Sequence, residues 1–99
     1  MRPRVVMVNT AAKGRRLEHR NRQLLEAAGY SVLRAAASKG DFDLVGYSAA
    51  GWCLVQVKAA RPPGPMERRA LAEAPCPPAC TRLVHVWKPR ARLPEVVEL

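Results

Sequence analysis

The chain has no isoleucine, five aromatic residues and eight acids among its 99 residues. Apolar residues still make up 48% of it, with Leu, Val and Phe together numbering 22, so a small core can form and wholesale disorder is excluded. One domain spanning residues 1–99 is expected, because two independent cores need a longer chain. Long apolar runs are missing too: nothing approaches the ~20 residues of a spanning helix, and too few apolar residues follow Met1-Arg2-Pro3-Arg4 for a secretory core. A cytoplasmic protein with no membrane partner is expected. Cysteine is scarce and odd in number, at Cys53, Cys76 and Cys80, which argues against a secreted disulfide framework. With His85 the three would make a four-ligand zinc set, but their spacing is not that of a knuckle or ribbon. Cys53 lies in an apolar strand pattern, where Cys is usually a small core residue.

What the chain has in excess is positive charge. Seventeen cations, thirteen of them Arg, against eight acids leave +9. The planar guanidinium pairs bidentately with phosphate and keeps its charge when partly buried, so an Arg-biased excess points to nucleic acid before a membrane surface.

Arg4–Val8 reads as an edge strand or an ordered tail. From Ala11 to Ala28 the residues Leu17, Asn21, Leu24, Leu25 and Ala28 recur at helical spacing, and Gly29 is placed as a C-terminal cap. Tyr30–Arg34 and Asp43–Tyr47 read as strands, with a loop over Ala35–Gly40 and a turn at Ser48-Ala49-Ala50-Gly51. Trp52–Lys58 is a third strand, in which Gln56 and Lys58 share a face with Leu54. Pro65 opens a helix through Glu73, ended by Pro75, Pro77 and Pro78. Thr81–Trp87 is a β-branched strand, and Glu95–Leu99 a short final one. The order α-β-β-β-α-β predicts an α/β fold, a small mixed central sheet flanked by helices.

With so few acids, their positions carry information. Glu18 lies seven residues from Leu25 on the first helix and so borders its buried face. Asp43 stands at the entrance of the second strand, where a neighbouring strand brings it beside Gln56 and Lys58. Carboxylates at a sheet edge suit hard cations such as Mg²⁺, and a nearby ammonium offsets charge developing at a phosphate. Blander readings exist for each residue: Glu18 paired on its own helix with Arg15 or Arg22, Asp43 merely opening a strand, Lys58 ending one in water.

The spacing of Asp43 and Gln56-Val57-Lys58 resembles the Asp…(Glu/Asp)-x-Lys signature of the PD-(D/E)XK nuclease superfamily. Lys13-Gly14-Arg15-Arg16-Leu17-Glu18, the stretch Ala27 to Gly40 with Gly29-Tyr30 and Ser38-Lys39-Gly40, and Asp43-Leu44-Val45 together resemble the archaeal-type Holliday-junction resolvases over about residues 13–61. The resemblance implies a restriction-endonuclease-like fold and an active site of Glu18, Arg34, Ser38, Asp43, Gln56 and Lys58. Asp43, Gln56, the Val57 carbonyl and Glu18 would hold Mg²⁺ or Mn²⁺. Gln56 departs from the family, which has an acid there. Gly40-Asp41-Phe42-Asp43-Leu44-Val45 also resembles the Gly-Glu-Ile-Asp-Leu-Ile run of a related bacterial nuclease-like family, which would make Asp41 a second metal-side acid. Lys13, Arg15, Arg16, Arg34, Lys39, Arg61, Arg68 and Arg69 are the expected phosphate-binding cations. The expected function is a metal-dependent endodeoxyribonuclease on branched or junction DNA, working as a homodimer helped by Trp87 and Val96-Val97. The alternative is a non-catalytic nucleic-acid-binding module that keeps the fold without the acid at position 56. Gln56→Glu is expected to raise cleavage or lower the metal requirement.

Overall fold

The computed structural model describes residues 3–34 and 42–99, with the side chains of the first helix described from Gly14 onward. The elements are α1 (Pro3–Ala27), β1 (Ser31–Arg34), β2 (Leu44–Ser48), β3 (Gly51–Ala59), α2 (Pro65–Glu73), β4 (Cys80–Trp87) and β5 (Glu95–Glu98). This is the expected mixed α/β arrangement, with the short C-terminal strand realised as β5. The reading of Arg4–Val8 as a strand or tail is corrected, because those residues lie inside α1. Pro3 sits at the helix start, where a missing N–H is no loss. No Gly or Pro interrupts the run from there to Gly14, so the helix-forming segment extends backward through the valines. The side chain of Lys13 and the loop residues Ser38, Lys39 and Asp41 lie outside the described residues.

The sheet has the order β1-β2-β3-β4-β5. β1, β2 and β3 form an antiparallel meander, β3 and β4 run parallel, and β5 returns antiparallel to β4. A parallel pair needs a long crossover, and α2 lies in the one between β3 and β4. Strand alternation then separates two apolar faces. Leu25, Val32, Leu44, Cys53 and Val55 pack on the α1 side. Phe42, Leu71, Ala74, Val84 and Val86 pack on the α2 side, joined by Leu54. Fully buried side chains such as Leu44, Val55, Leu71 and Val84 each contribute about 1.5–3 kcal/mol relative to exposure. Gly46 is opposite Cys53, and a Cβ there would come within 2.7 Å of the Cys53 Sγ, so the buried thiol depends on that glycine.

α1 ends as its glycine predicts. Gly29 adopts φ 100°, and the Tyr30 N–H donates to the Leu25 carbonyl at 3.1 Å, closing the last turn in the manner of a Schellman cap. The polar residue in the helical periodicity, Asn21, is fully buried. Its Oδ1 accepts from Trp87 Nε1 at 2.9 Å and lies 3.1 Å from His85 Nδ1. An indole only donates, which fixes the carboxamide orientation and places the His85 proton on Nδ1. Burial lowers the His85 pKa. Trp87 is 4% exposed, with the Arg20 guanidinium 4.5 Å above its ring, so it is spent inside the fold, and the expectation that Trp87 helps a dimer form is corrected. Val96 remains exposed. Trp52, also exposed, leans on Tyr47 at the β2–β3 turn. No helix among the described residues is long and apolar enough to cross a membrane.

Candidate active site

The sheet geometry brings the start of β2 to the far half of β3. The Asp43 N–H donates to the Val55 carbonyl at 2.9 Å. In return the Val57 N–H donates to Asp43 Oδ2 at 2.8 Å. The carboxylate thus occupies the position of a strand residue and holds the edge of β3 where β2 has not yet begun. Beside it opens a cleft of about 660 Å³ lined by Gly14, Leu17, Glu18, Asp43, Val57, Lys58 and the segment Ala59–Pro62. Ala60, at φ 70°, is a left-handed non-glycine residue, an uncommon conformation that turns the chain out of β3 and sets Arg61 on the cleft wall.

Glu18 reaches this cleft from α1. Its carboxylate is paired with Arg34 Nε at 3.1 Å, not with Arg15 or Arg22; Arg22 pairs with Glu26 instead. The helix acid and the arginine leaving β1 are therefore joined. Burial raises the Asp43 pKa above its ordinary value. The Val57 N–H opposes that shift, Glu18 adds to it, and Lys58 and Arg34 pull it down. Glu18 and Lys58 consequently both act on Asp43 within one cleft, in opposite senses.

Gln56 and Lys58 follow Leu54 onto the α2 face, as strand alternation requires, and there meet a residue that the sequence reading did not single out. Glu67 lies in the first turn of α2. Its two carboxylate oxygens accept from Lys58 Nζ at 3.0 and 3.2 Å, and one also accepts from Gln56 Nε2 at 3.4 Å. In sequence Glu67 reads as a helix-start acid favoured by the macrodipole. The available signal was its scarcity: it is the first acid after Lys58 in a chain with eight. Gln56 does not line the cleft. Its Oε1 is buried without a hydrogen-bond partner.

Among the described residues no group of three His, Cys, Asp or Glu side chains is placed to hold a metal ion. Two carboxylates, Glu18 and Asp43, do border one cleft, and Asp43 is strained toward protonation by burial and by its like-charged neighbour. A hard cation relieves that strain. The donor set therefore fits a divalent cation, with less negative charge than a three-acid site. Of the expected phosphate-binding cations, Arg61 lines the cleft, while Arg15 and Arg34 line a smaller adjoining pocket with Glu18. Arg16 is exposed on α1, and Arg68 and Arg69 on α2.

No family model matches the sequence, and no curated protein matches it. The fold does have a counterpart among solved structures. Hjc, a Holliday junction resolvase from the archaeal hyperthermophile Archaeoglobus fulgidus, superposes with a TM-score of 0.69 at 21% identity, over 87% of this chain and 72% of that one. The chain has the fold of that resolvase, which is the fold its resemblance to PD-(D/E)XK nucleases implied.

Proposed function

We propose that the protein is a metal-dependent endodeoxyribonuclease acting on branched DNA. The observation that carries this reading is the convergence of Asp43, Glu18 and Lys58 on one cleft of a resolvase-like fold. Asp43, Glu18 and the Val57 carbonyl would hold Mg²⁺ or Mn²⁺, whereas Gln56, turned to α2, is not among the holders. When bound, the cation supplies Lewis-acid charge at the phosphoryl oxygen and a more acidic water.

The chain's own groups do the rest. The Val57 N–H fixes the Asp43 carboxylate, and Arg34 fixes Glu18. Lys58 presents an ammonium at the cleft, where it orients water and offsets the charge that grows on the phosphate in the transition state. Arg15, Arg61 and the exposed arginines of α2 bind backbone phosphates on either side. A homodimer would set two such clefts against the paired strands of a junction, in the cytoplasm where the DNA is. Ser38, Lys13 and Lys39 belong to the proposed site through the resemblance alone.

The test is incubation of the pure protein with end-labelled four-way junction, duplex and single strand in Mg²⁺, Mn²⁺ or chelator. Junction cleavage that needs metal, and that is lost by 10²-fold or more in Lys58→Ala with DNA affinity retained, is the expected result. A second reading, a DNA-binding module without catalysis, is favoured by one feature: the carboxamide at position 56 faces α2 and leaves two acids at the cleft. Junction binding with no cleavage under any metal would select it.

A further inference from the structure

Lys58 is the residue that the nuclease reading relies on for orienting charge and water, yet its side chain has four rotatable bonds and sits at the end of a strand. Left alone it would sample many positions. It is instead held at both oxygens of Glu67, at 3.0 and 3.2 Å, and the same carboxylate accepts a hydrogen bond from Gln56 Nε2. Leu71, one turn further along α2, is 1% exposed and packs in the cluster of Val84 and Val86, so the core anchors the helix. Glu67 does not line the cleft, whereas Lys58 does.

We propose that Glu67 is a positioning residue that holds the Lys58 ammonium at the cleft, and that position 56 carries a carboxamide because this helix carboxylate lies against it. The proposal rests on the nuclease reading and deepens it. An ion pair between partly exposed side chains adds little to stability. What it supplies is orientation, and orientation of a catalytic group appears in kcat. Gln56 completes the arrangement as a neutral donor. A glutamate there would set a second carboxylate about where Nε2 now lies, 3.4 Å from Glu67, and like charges that close repel. Gln56→Glu alone is therefore damaging, the reverse of the expectation from sequence, while a carboxylate moved from 67 to 56 is tolerated.

The experiment compares wild type, Glu67→Gln, Glu67→Asp, Gln56→Glu and the double variant Gln56→Glu/Glu67→Gln on labelled junction at saturating Mn²⁺. Glu67→Gln should lower kcat by about 10–100-fold with KM for DNA changed less than about 3-fold, since an orienting contact is lost and no phosphate contact is. Gln56→Glu should also lose activity. The double variant should recover most of what Glu67→Gln loses, and Glu67→Asp should be intermediate. A second readout needs no turnover. The chain has four lysines, so NMR of ¹⁵N-lysine-labelled protein resolves each ammonium, with Lys58 assigned by its absence in Lys58→Arg. Its slowly exchanging signal should be lost in Glu67→Gln and return in the double variant.

Full kcat in Glu67→Gln from a cleaving wild type overturns this proposal and leaves the nuclease reading standing. So does a Lys58 signal indifferent to Glu67. A wild type that cuts no substrate with any metal removes the nuclease reading itself, and this proposal with it. If Glu67→Gln fails to fold, Glu67→Asp and the double variant still decide.

Discussion

Asp43 offers a measurement of the site that does not depend on finding the right DNA. Its carboxylate is half-buried, its pKa is raised mainly by burial, and Glu18 pushes it the same way. For an acid whose folded-state pKa lies above the unfolded value, the stabilising contribution is complete below the unfolded value, about pH 4. It is lost as pH rises through the folded-state value, so at neutral pH the bare charge is a liability. Asp43→Asn keeps the size and an oxygen for the Val57 N–H, and removes the charge. Without metal, the variant should melt at or above the wild-type temperature at pH 7, and the difference should shrink below about pH 4. A divalent cation reverses the order. At ten times its Kd a ligand of the folded state adds about 1.4 kcal/mol, which for a domain of this size is a rise of about 6–11 °C. If loss of one of two carboxylates weakens binding tenfold, the same metal concentration leaves the variant about 0.4 kcal/mol, or about 2–3 °C. The assay is a melting curve by circular dichroism across Mg²⁺ and Mn²⁺ concentrations with chelator controls. A wild type unmoved by millimolar metal, or an Asp43→Asn variant that shifts equally, would refute the placement of the metal at Asp43.

Three further outcomes follow from the same geometry. Asn21→Ala strips the acceptor from Trp87 Nε1 and His85 Nδ1 together and should cost about 2–4 kcal/mol by denaturant unfolding, the penalty of buried donors left unmade plus a small cavity. His85, its pKa lowered by burial, contributes stability present above its unfolded value of about 6.5 and lost as pH falls through the lower folded-state value; His85→Gln should flatten the stability profile over that acid limb, and an unchanged slope would count against it. DNA affinity should fall with salt by about 0.9 log units per log unit of salt for each phosphate neutralised, and Arg61→Ala should reduce that slope by about one contact, as fluorescence anisotropy can show.

Much of the architecture was legible because it follows from period and punctuation. Alternation in Trp52–Lys58 placed Gln56 and Lys58 on the Leu54 face, and the two side chains do turn to the α2 side. Gly29 marked the end of α1, and the prolines after Glu73 marked the end of α2. The N-terminal valines misled because Arg4–Val8, with three valines in five residues, has strand composition whatever its context, whereas the helix that absorbs it is a longer-range property. Asn21 was legible as a position on the buried helical face. Its partners, 64 and 66 residues away, were not, since no local pattern encodes which strand a helix covers.

Position 56 shows how far a motif carries. Read along the strand, Gln56 is a lost acid, and the repair is to restore it. In three dimensions the charge beside Lys58 is present, but it arrives from α2, where the β3–β4 crossover lays the helix start across the strand. Alternation supplies the face, the parallel pairing supplies the crossover, and the buried Leu71 fixes its depth; only with all three does Glu67 fall within 3.0 Å of Lys58. A carboxylate that serves a strand lysine from a neighbouring helix has no fixed spacing in sequence, so a strand motif that lacks its acid does not by itself mark an inactive site. The cleft still holds one carboxylate fewer than a three-acid site, because Glu67 neutralises Lys58 from behind and does not line it. On the proposed reading, metal affinity is set by Asp43 and Glu18, and the hold on the lysine by Glu67. The two can be weakened separately: Asp43→Asn should act on the metal-dependent melting shift and leave the Lys58 ammonium signal in place, and Glu67→Gln should do the converse.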